Sequence, residues 1–220
     1  MSTTMYVGLL DIACGALLLT AVVILWRREI SSVITLFAAQ GVALAAMVGI
    51  LAVEQHDAEL GAVSVGLLIL RAGVLPGLLR RALAAGGQRQ RETHPLVNVV
   101  SSLLAGAALT LLAYAVSQPL IALAPSPAAH AIPVGLAVVL IGFFILISRR
   151  LALSQVVGFL LIDNGITTTA FLTTSGVGLV IELGISMDVL LVVIVLQVLK
   201  THMRAAFGAT DLDELRELHD

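Results

Sequence analysis

Charge is scarce in this 220-residue chain: only 12% of residues are Asp, Glu, Lys or Arg, while 59% are hydrophobic and mean hydropathy is +1.07. That scarcity excludes an ordinary soluble domain, which could not keep so much apolar surface out of water. Cysteine is almost absent. Cys14 alone, in the first apolar run, excludes an intrachain disulfide and any cysteine-ligated zinc or iron–sulfur centre within the chain. His56, His94, His130, His202 and His219 all fall in loops or at segment ends, without i,i+4 pairing, so no metal site is expected from them. There is no phosphate-binding G-x-x-x-x-G-K-[ST], no G-x-G-x-x-G in a βαβ context and no nucleophile elbow, hence no expected active site that makes or breaks bonds. The net charge of −2 gives no case for nucleic acid. No basic region precedes the first apolar stretch, which therefore reads as a retained membrane helix and not a cleaved leader.

Long hydrophobic runs are what the chain does have. Read against charged and Pro/Gly breaks, they predict an all-α polytopic membrane protein of about seven transmembrane helices. The spans fall at 5–26, 30–53, 60–84, 96–124, 132–148, 152–174 and 179–201. Residues 1–202 form a single transmembrane domain, and 203–220 a cytoplasmic acidic tail. The breaks alternate in charge. Arg27/Arg28, then Arg80, Arg81, Arg89 and Arg91, then Arg149/Arg150, then Lys200 and Arg204 stand on one side. Glu54, His56, Asp57 and Glu59, then the Pro125–Pro133 region, then the Ser175 region stand on the other. Cytoplasmic loops hold the Lys and Arg of membrane proteins, so the N-terminus is expected outside and the C-terminus in the cytoplasm.

Two stretches are alike: residues 24–44 (ILWRREISSVITLFAAQGVAL) and 145–169 (ILISRRLALSQVVGFLLIDNGITTT). Each places an Arg pair before a helix that carries a polar residue and then glycine, Gln40-Gly41 and Asn164-Gly165. Each is followed by a helix with a deep charge, Arg71 or Asp188. One reading is two parallel three-helix repeats, 5–84 and 132–202, joined by the fourth span. The other is that short-loop arginine pairs follow from topology alone.

Ionisable groups at membrane depth are costly and usually face a partner or water. Arg71 lies mid-span, roughly 16 Å from either end at helical rise. Asp163 is equally central, Asp188 is near the middle of the last span, Glu182 is in its outer turns, and Asp11 lies nearer a helix end. Glu182 and Asp188, six positions apart, point roughly 120° apart on one helix, which fits a lateral acidic row better than one clustered site. Asn164 and Thr167 add hydrogen-bonding groups beside Asp163. Pro76, five positions after Arg71, removes an N–H and predicts a kink there. The expected relay residues are Asp163, Glu182 and Asp188, with Arg71 tuning or pairing their charge and Asn164, Thr167, Gln40 and Asp11 as a second tier. Static pairing without ion traffic is the competing reading. Asp211 and Glu214 suggest a capped helix in the tail; docking on a cytoplasmic partner and a frayed, solvated helix are the two readings of it.

Residues 158–218 resemble component E of the hydrogenase-4 and formate hydrogenlyase type of membrane-bound complex. The motifs are Asp163-Asn164-Gly165, Glu182-Leu183-Gly184-Ile185 with Asp188, and the tail from Asp211 to Leu218; Arg71 through Pro76 adds to them. That family is similar in turn to subunit K of respiratory complex I and to its counterpart in multisubunit cation/proton antiporters. The resemblance implies a non-catalytic membrane-arm subunit of a redox-driven complex in a bacterial or archaeal plasma membrane. Its partners would be antiporter-like membrane subunits, a complex I-like membrane anchor and soluble redox subunits. Nickel–iron and iron–sulfur centres would lie in those partners, with no cofactor in this chain. Here aspartate stands at 163 where the family usually has glutamate, and arginine at 71 where it has lysine. Arginine is much harder to deprotonate than lysine, so Arg71 is expected as a fixed charge.

Overall fold

The computed structural model describes residues 2–85, 97–123 and 126–174. They form an all-α protein with no strands, in which six helical segments are long and apolar enough to cross a membrane. Helix α1 (Thr3–Trp26) starts where Ser2 Oγ accepts the Met5 N–H, and ends at the extended Arg27. Helix α2 (Ile30–Gln55) ends at His56, whose backbone is left-handed (φ 57°) and turns the chain back. Asp57 then caps α3 (Ala58–Leu67), its carboxylate accepting the N–H groups of Glu59 at 2.8 Å and Leu60 at 3.2 Å.

The third span does not break at Pro76. It widens one turn earlier into a π-helix over Leu68–Val74, where the Leu75 N–H donates to the Leu70 carbonyl, and resumes as α4 (Leu75–Ala85). The wide turn absorbs the missing proline donor at the start of α4, so the kink expected from sequence takes the form of a π-bulge with Arg71 at its centre. Helices α5 (Val99–Leu123), α6 (Ile132–Ser148, preceded by a 3₁₀ turn at Ala129–Ala131) and α7 (Ala152–Thr174) complete the described chain. The seventh span, 179–201, and the tail lie outside the described residues.

Two antiparallel hairpins, α1/α2 and α6/α7, pack side by side, with α1 against α6 and α2 against α7. The third span lies on α2, and α5 covers α1 and α6 while keeping most of its own surface outward. The α6/α7 contact is the most intimate. Gly135 and Gly142 on α6 face Gly165 and Gly158 on α7, with heptad spacing on both helices. A Cβ at Gly165 would stand 2.6 Å from the Val139 nitrogen, and one at Gly142 would stand 2.8 Å from the Ile162 nitrogen. Small residues let membrane helices touch backbone to backbone, which matters because lipid tails supply no hydrophobic drive for helices to associate.

The buried apolar residues fall into two layers. One holds Leu10, Leu17, Leu44, Met47, Leu67, Ile132 and Phe171. The other holds Ala21, Ile34, Phe37, Leu75, Val138 and Leu161. Along α1, α2, the third span, α6 and α7, the switch between layers comes at the same depth: between Leu17 and Ala21, Phe37 and Ala43, Leu67 and Leu75, Val134 and Val138, and Leu161 and Phe171. Gln40 of α2, Arg71 of the third span and Asp163, Asn164, Thr167 and Thr168 of α7, all buried, lie at that seam.

Candidate functional site: a buried arginine cluster between two apolar layers

Arg71 is 1% exposed and is the largest of the fully buried side chains. Its Nη2 lies 2.6 Å from Asp163 Oδ2 and donates to Thr167 Oγ1 at 3.0 Å, while Nη1 donates to Asn164 Oδ1. Asp163 and Thr167 are one turn apart on α7, with Asn164 beside them. One face of that helix therefore presents a carboxylate, an amide oxygen and a hydroxyl to a single guanidinium fork.

The network runs on from there. Asn164 Nδ2 donates to Gln40 Oε1 at 2.9 Å, and Gln40 Nε2 donates to the Leu17 carbonyl at 3.2 Å. Thr168 Oγ1 donates back to the Asn164 carbonyl at 2.7 Å. Four spans thus meet at one depth: α1 through a backbone carbonyl, α2 through Gln40, the third span through Arg71, and α7 through Asp163, Asn164, Thr167 and Thr168. Each amide's oxygen accepts while its nitrogen donates onward, so the chain from Arg71 to Leu17 runs in one direction.

Local sequence explains the approach. A Cβ at position 41 would stand 2.7 Å from the Arg71 carbonyl carbon and 2.8 Å from its oxygen, so Gly41 allows the π-helical backbone to lie against α2. Glycine follows the network's polar residue on both α2 and α7, at Gly41 and Gly165, and in both cases it admits a neighbouring backbone.

Burying one charge is prohibitive unless it is paired and hydrogen-bonded; the pair Arg71–Asp163 is neutral as a unit, and the amides and hydroxyl help to replace lost solvent. Apolar layers flank the seam on both sides along the helix axes. Among the described residues no group of three or more His, Cys, Asp or Glu is placed to hold a metal ion.

Of the residues singled out in the sequence, the structure brings together Arg71, Asp163, Asn164, Thr167 and Gln40. Asp11 is exposed and stands apart, beside His130, Ser126, Pro127 and Val7 in an open depression of about 610 Å³. Glu182 and Asp188 lie outside the described residues. Three features were not read from sequence: Thr168, the π-helix, and the inward turn of Arg149. The last is 8% exposed and donates through Nη2 to the carbonyls of Leu25 and Arg27, each at 3.0 Å. The signal for Thr168 was its four-residue spacing from Asn164; the arginine pair 149–150 carried no mark of which member turns inward.

No family model and no solved structure matches the chain. Over 220 residues, 100% of this chain and 100% of the relative, it is 49% identical to "Uncharacterized protein Rv0085" of Mycobacterium tuberculosis (strain ATCC 25618 / H37Rv).

Proposed function

The chain belongs to the same family as that mycobacterial protein, and we propose that it serves as a membrane-arm subunit of a redox-driven, complex I-like complex of the group 4 nickel–iron hydrogenase or formate hydrogenlyase type. The observation that carries the reading is the Arg71–Asp163 pair, fully buried at the seam between two apolar layers and seated on a π-helical turn. A charge pair so placed is costly to keep and usually marks an ion or proton path. π-Bulges also concentrate at functional sites. In this reading Asp163 relays protons or sodium laterally with the acids of the last span, Glu182 and Asp188, and Arg71 is the fixed charge that sets how readily Asp163 exchanges its partner. The chain carries no redox centre. Nickel–iron and iron–sulfur groups belong to soluble partner subunits, and antiporter-like subunits and a complex I-like anchor flank it in the bacterial plasma membrane, with the arginine-rich ends cytoplasmic.

A scaffold role is the second reading, favoured by the way Asp163, Asn164 and Thr167 all engage Arg71, as in a static clamp. A gentle-detergent pull-down of the tagged native protein, with mass spectrometry of its companions, tests the assignment common to both. Antiporter-like membrane subunits with nickel–iron and iron–sulfur proteins are expected. A protein that emerges alone would remove both readings and leave a self-contained transporter.

A further inference from the structure

We propose that the end of the protein opposite its arginine pairs holds a protonated organic amine. Its place is the depression of about 610 Å³ lined by Val7 and Asp11 of α1 and by Ser126, Pro127 and His130 of the α5–α6 connection. Asp11 lies about 12 Å along the helix axis from the start of α1 at Thr3. Leu10, Ala13 and Cys14 are buried, so the carboxylate stands on the outward face of α1, and Val7, one turn earlier, shares that face. The α5–α6 connection folds in beside it: Ala128, Ala129 and Ala131 belong to the same buried apolar layer as Leu10 and Ala13. With Ala129 and Ala131 turned inward, His130 is left exposed at the rim. Ser126 Oγ accepts the Ala129 N–H at 3.0 Å, which fixes the turn and leaves the oxygen a second lone pair. Neither the Asp11 carboxylate nor the His130 ring is taken up by a hydrogen bond or an ion pair, so both are available to a ligand.

The surrounding charge selects a cation. Among the described residues this end carries Asp11, Glu54, Asp57 and Glu59 and no lysine or arginine, and every described arginine except Arg71 lies at the opposite end. A cleft under one sign of charge concentrates counter-ions. The volume falls within the range of small-molecule sites, about 300–1,000 Å³, and far exceeds what one metal ion needs. Three acceptors and two apolar walls suit an ammonium group on a compact hydrocarbon body. Its N–H groups donate to the Asp11 carboxylate, to the bare nitrogen of a neutral His130 ring and to Ser126 Oγ, while the body rests on Val7 and Pro127. The phosphate of a zwitterionic lipid would meet no cation at this end, which favours a free amine over a lipid headgroup.

The probe is phenethylammonium, with phenethyl alcohol as its neutral counterpart. Each is titrated onto the full-length protein in phosphatidylcholine nanodiscs and followed by saturation-transfer NMR. Saturable binding of the amine is expected, and none of the alcohol. Asp11→Asn is expected to weaken amine binding about ten-fold, and His130→Gln about two-fold. Glu59→Gln, at the same end but outside the depression, is expected to leave it unchanged. Asp11 makes no hydrogen bond on which α1 depends, so its variant tests binding without unfolding the helix, and matching elution profiles check that. Equal binding of amine and alcohol would overturn the assignment, as would equal weakening by Asp11→Asn and Glu59→Gln. Displacement of the amine by micromolar zinc would overturn it too, by identifying a metal ion as the occupant.

Discussion

Asn164 on α7 and Gln40 on α2, 124 positions apart, are joined by a 2.9 Å hydrogen bond that ties the two helical hairpins together at the depth of the buried arginine. Asn164 also accepts from Arg71, whereas Gln40 continues only to the Leu17 carbonyl. The two amides should therefore differ in what their removal strands. Asn164→Leu leaves both an arginine N–H and the Gln40 oxygen without these partners, whereas Gln40→Leu leaves the Asn164 amide and takes one donor from the Leu17 carbonyl, which keeps the Thr20 hydroxyl at 2.9 Å. An unsatisfied buried neutral group costs about 1–3 kcal/mol and a charged one more. The expected order of thermal stability in mild detergent is wild type, then Gln40→Leu, then Asn164→Leu. Equal losses would mean that the network is not built as described.

Arg71 and Asp163 should show strong thermodynamic coupling. Removing one member of a buried ion pair leaves an uncompensated charge and costs about 3–5 kcal/mol, whereas removing both is often close to neutral. Arg71→Gln and Asp163→Asn are each expected to lower the unfolding midpoint sharply, and the double variant to recover most of the loss. A double-mutant cycle with coupling energy near zero would show that the pair does not act as a unit.

The α6/α7 glycines make a prediction about size alone. Gly165→Ala puts a methyl 2.6–2.7 Å from the Val139 nitrogen and the Gly135 oxygen, so the helices must separate, at about 1–3 kcal/mol. Gly8→Ala, on an exposed face of α1 with nothing within 4 Å of the added carbon, should be neutral or stabilising by up to about 1 kcal/mol. Comparing the unfolding midpoints of the two variants checks it.

Arg149 is expected to matter more than its neighbour Arg150. It donates to the last carbonyls of α1, where a cation also favours the negative end of the helix. Arg149→Gln should fray the end of α1 and speed proteolysis at the Arg27–Arg28 turn, while Arg149→Lys should retain part of the protection. Limited trypsinolysis of variants in detergent, followed at that site, reads the difference.

The spans were legible in the sequence because a hydrocarbon layer admits few alternatives. The run expected at 132–148 is helix α6 (Ile132–Ser148), that at 152–174 is α7 (Ala152–Thr174), and that at 30–53 extends only to Gln55. Arg71 and Asp163 stood out for the same reason, since charge is conspicuous where it is expensive. How the chain brings them together was not legible. Pro76 announced an irregular turn but not that the relief would come as a π-helix upstream of it. The four glycines of α6 and α7 show a heptad spacing in the sequence, but not that the two stripes face one another. Asp11, a second-tier candidate read as lying nearer a helix end, stands in an open depression away from Arg71. The parallel-repeat reading rests in part on the last span, outside the described residues. Within them, the positions it equates, Gln40 and Asn164, touch each other.

Redox-driven ion translocation by the proposed complex, measured in inverted vesicles carrying the Arg71→Gln/Asp163→Asn double variant, tests the proposed relay most directly. The double variant removes both charges together and leaves no uncompensated charge buried, so co-purification of the other subunits should match the wild type. Relay through Asp163 predicts an assembled complex that still turns over its redox reaction but translocates far fewer ions per electron. Full translocation by an assembled double variant would contradict it and leave the buried pair as a structural clamp.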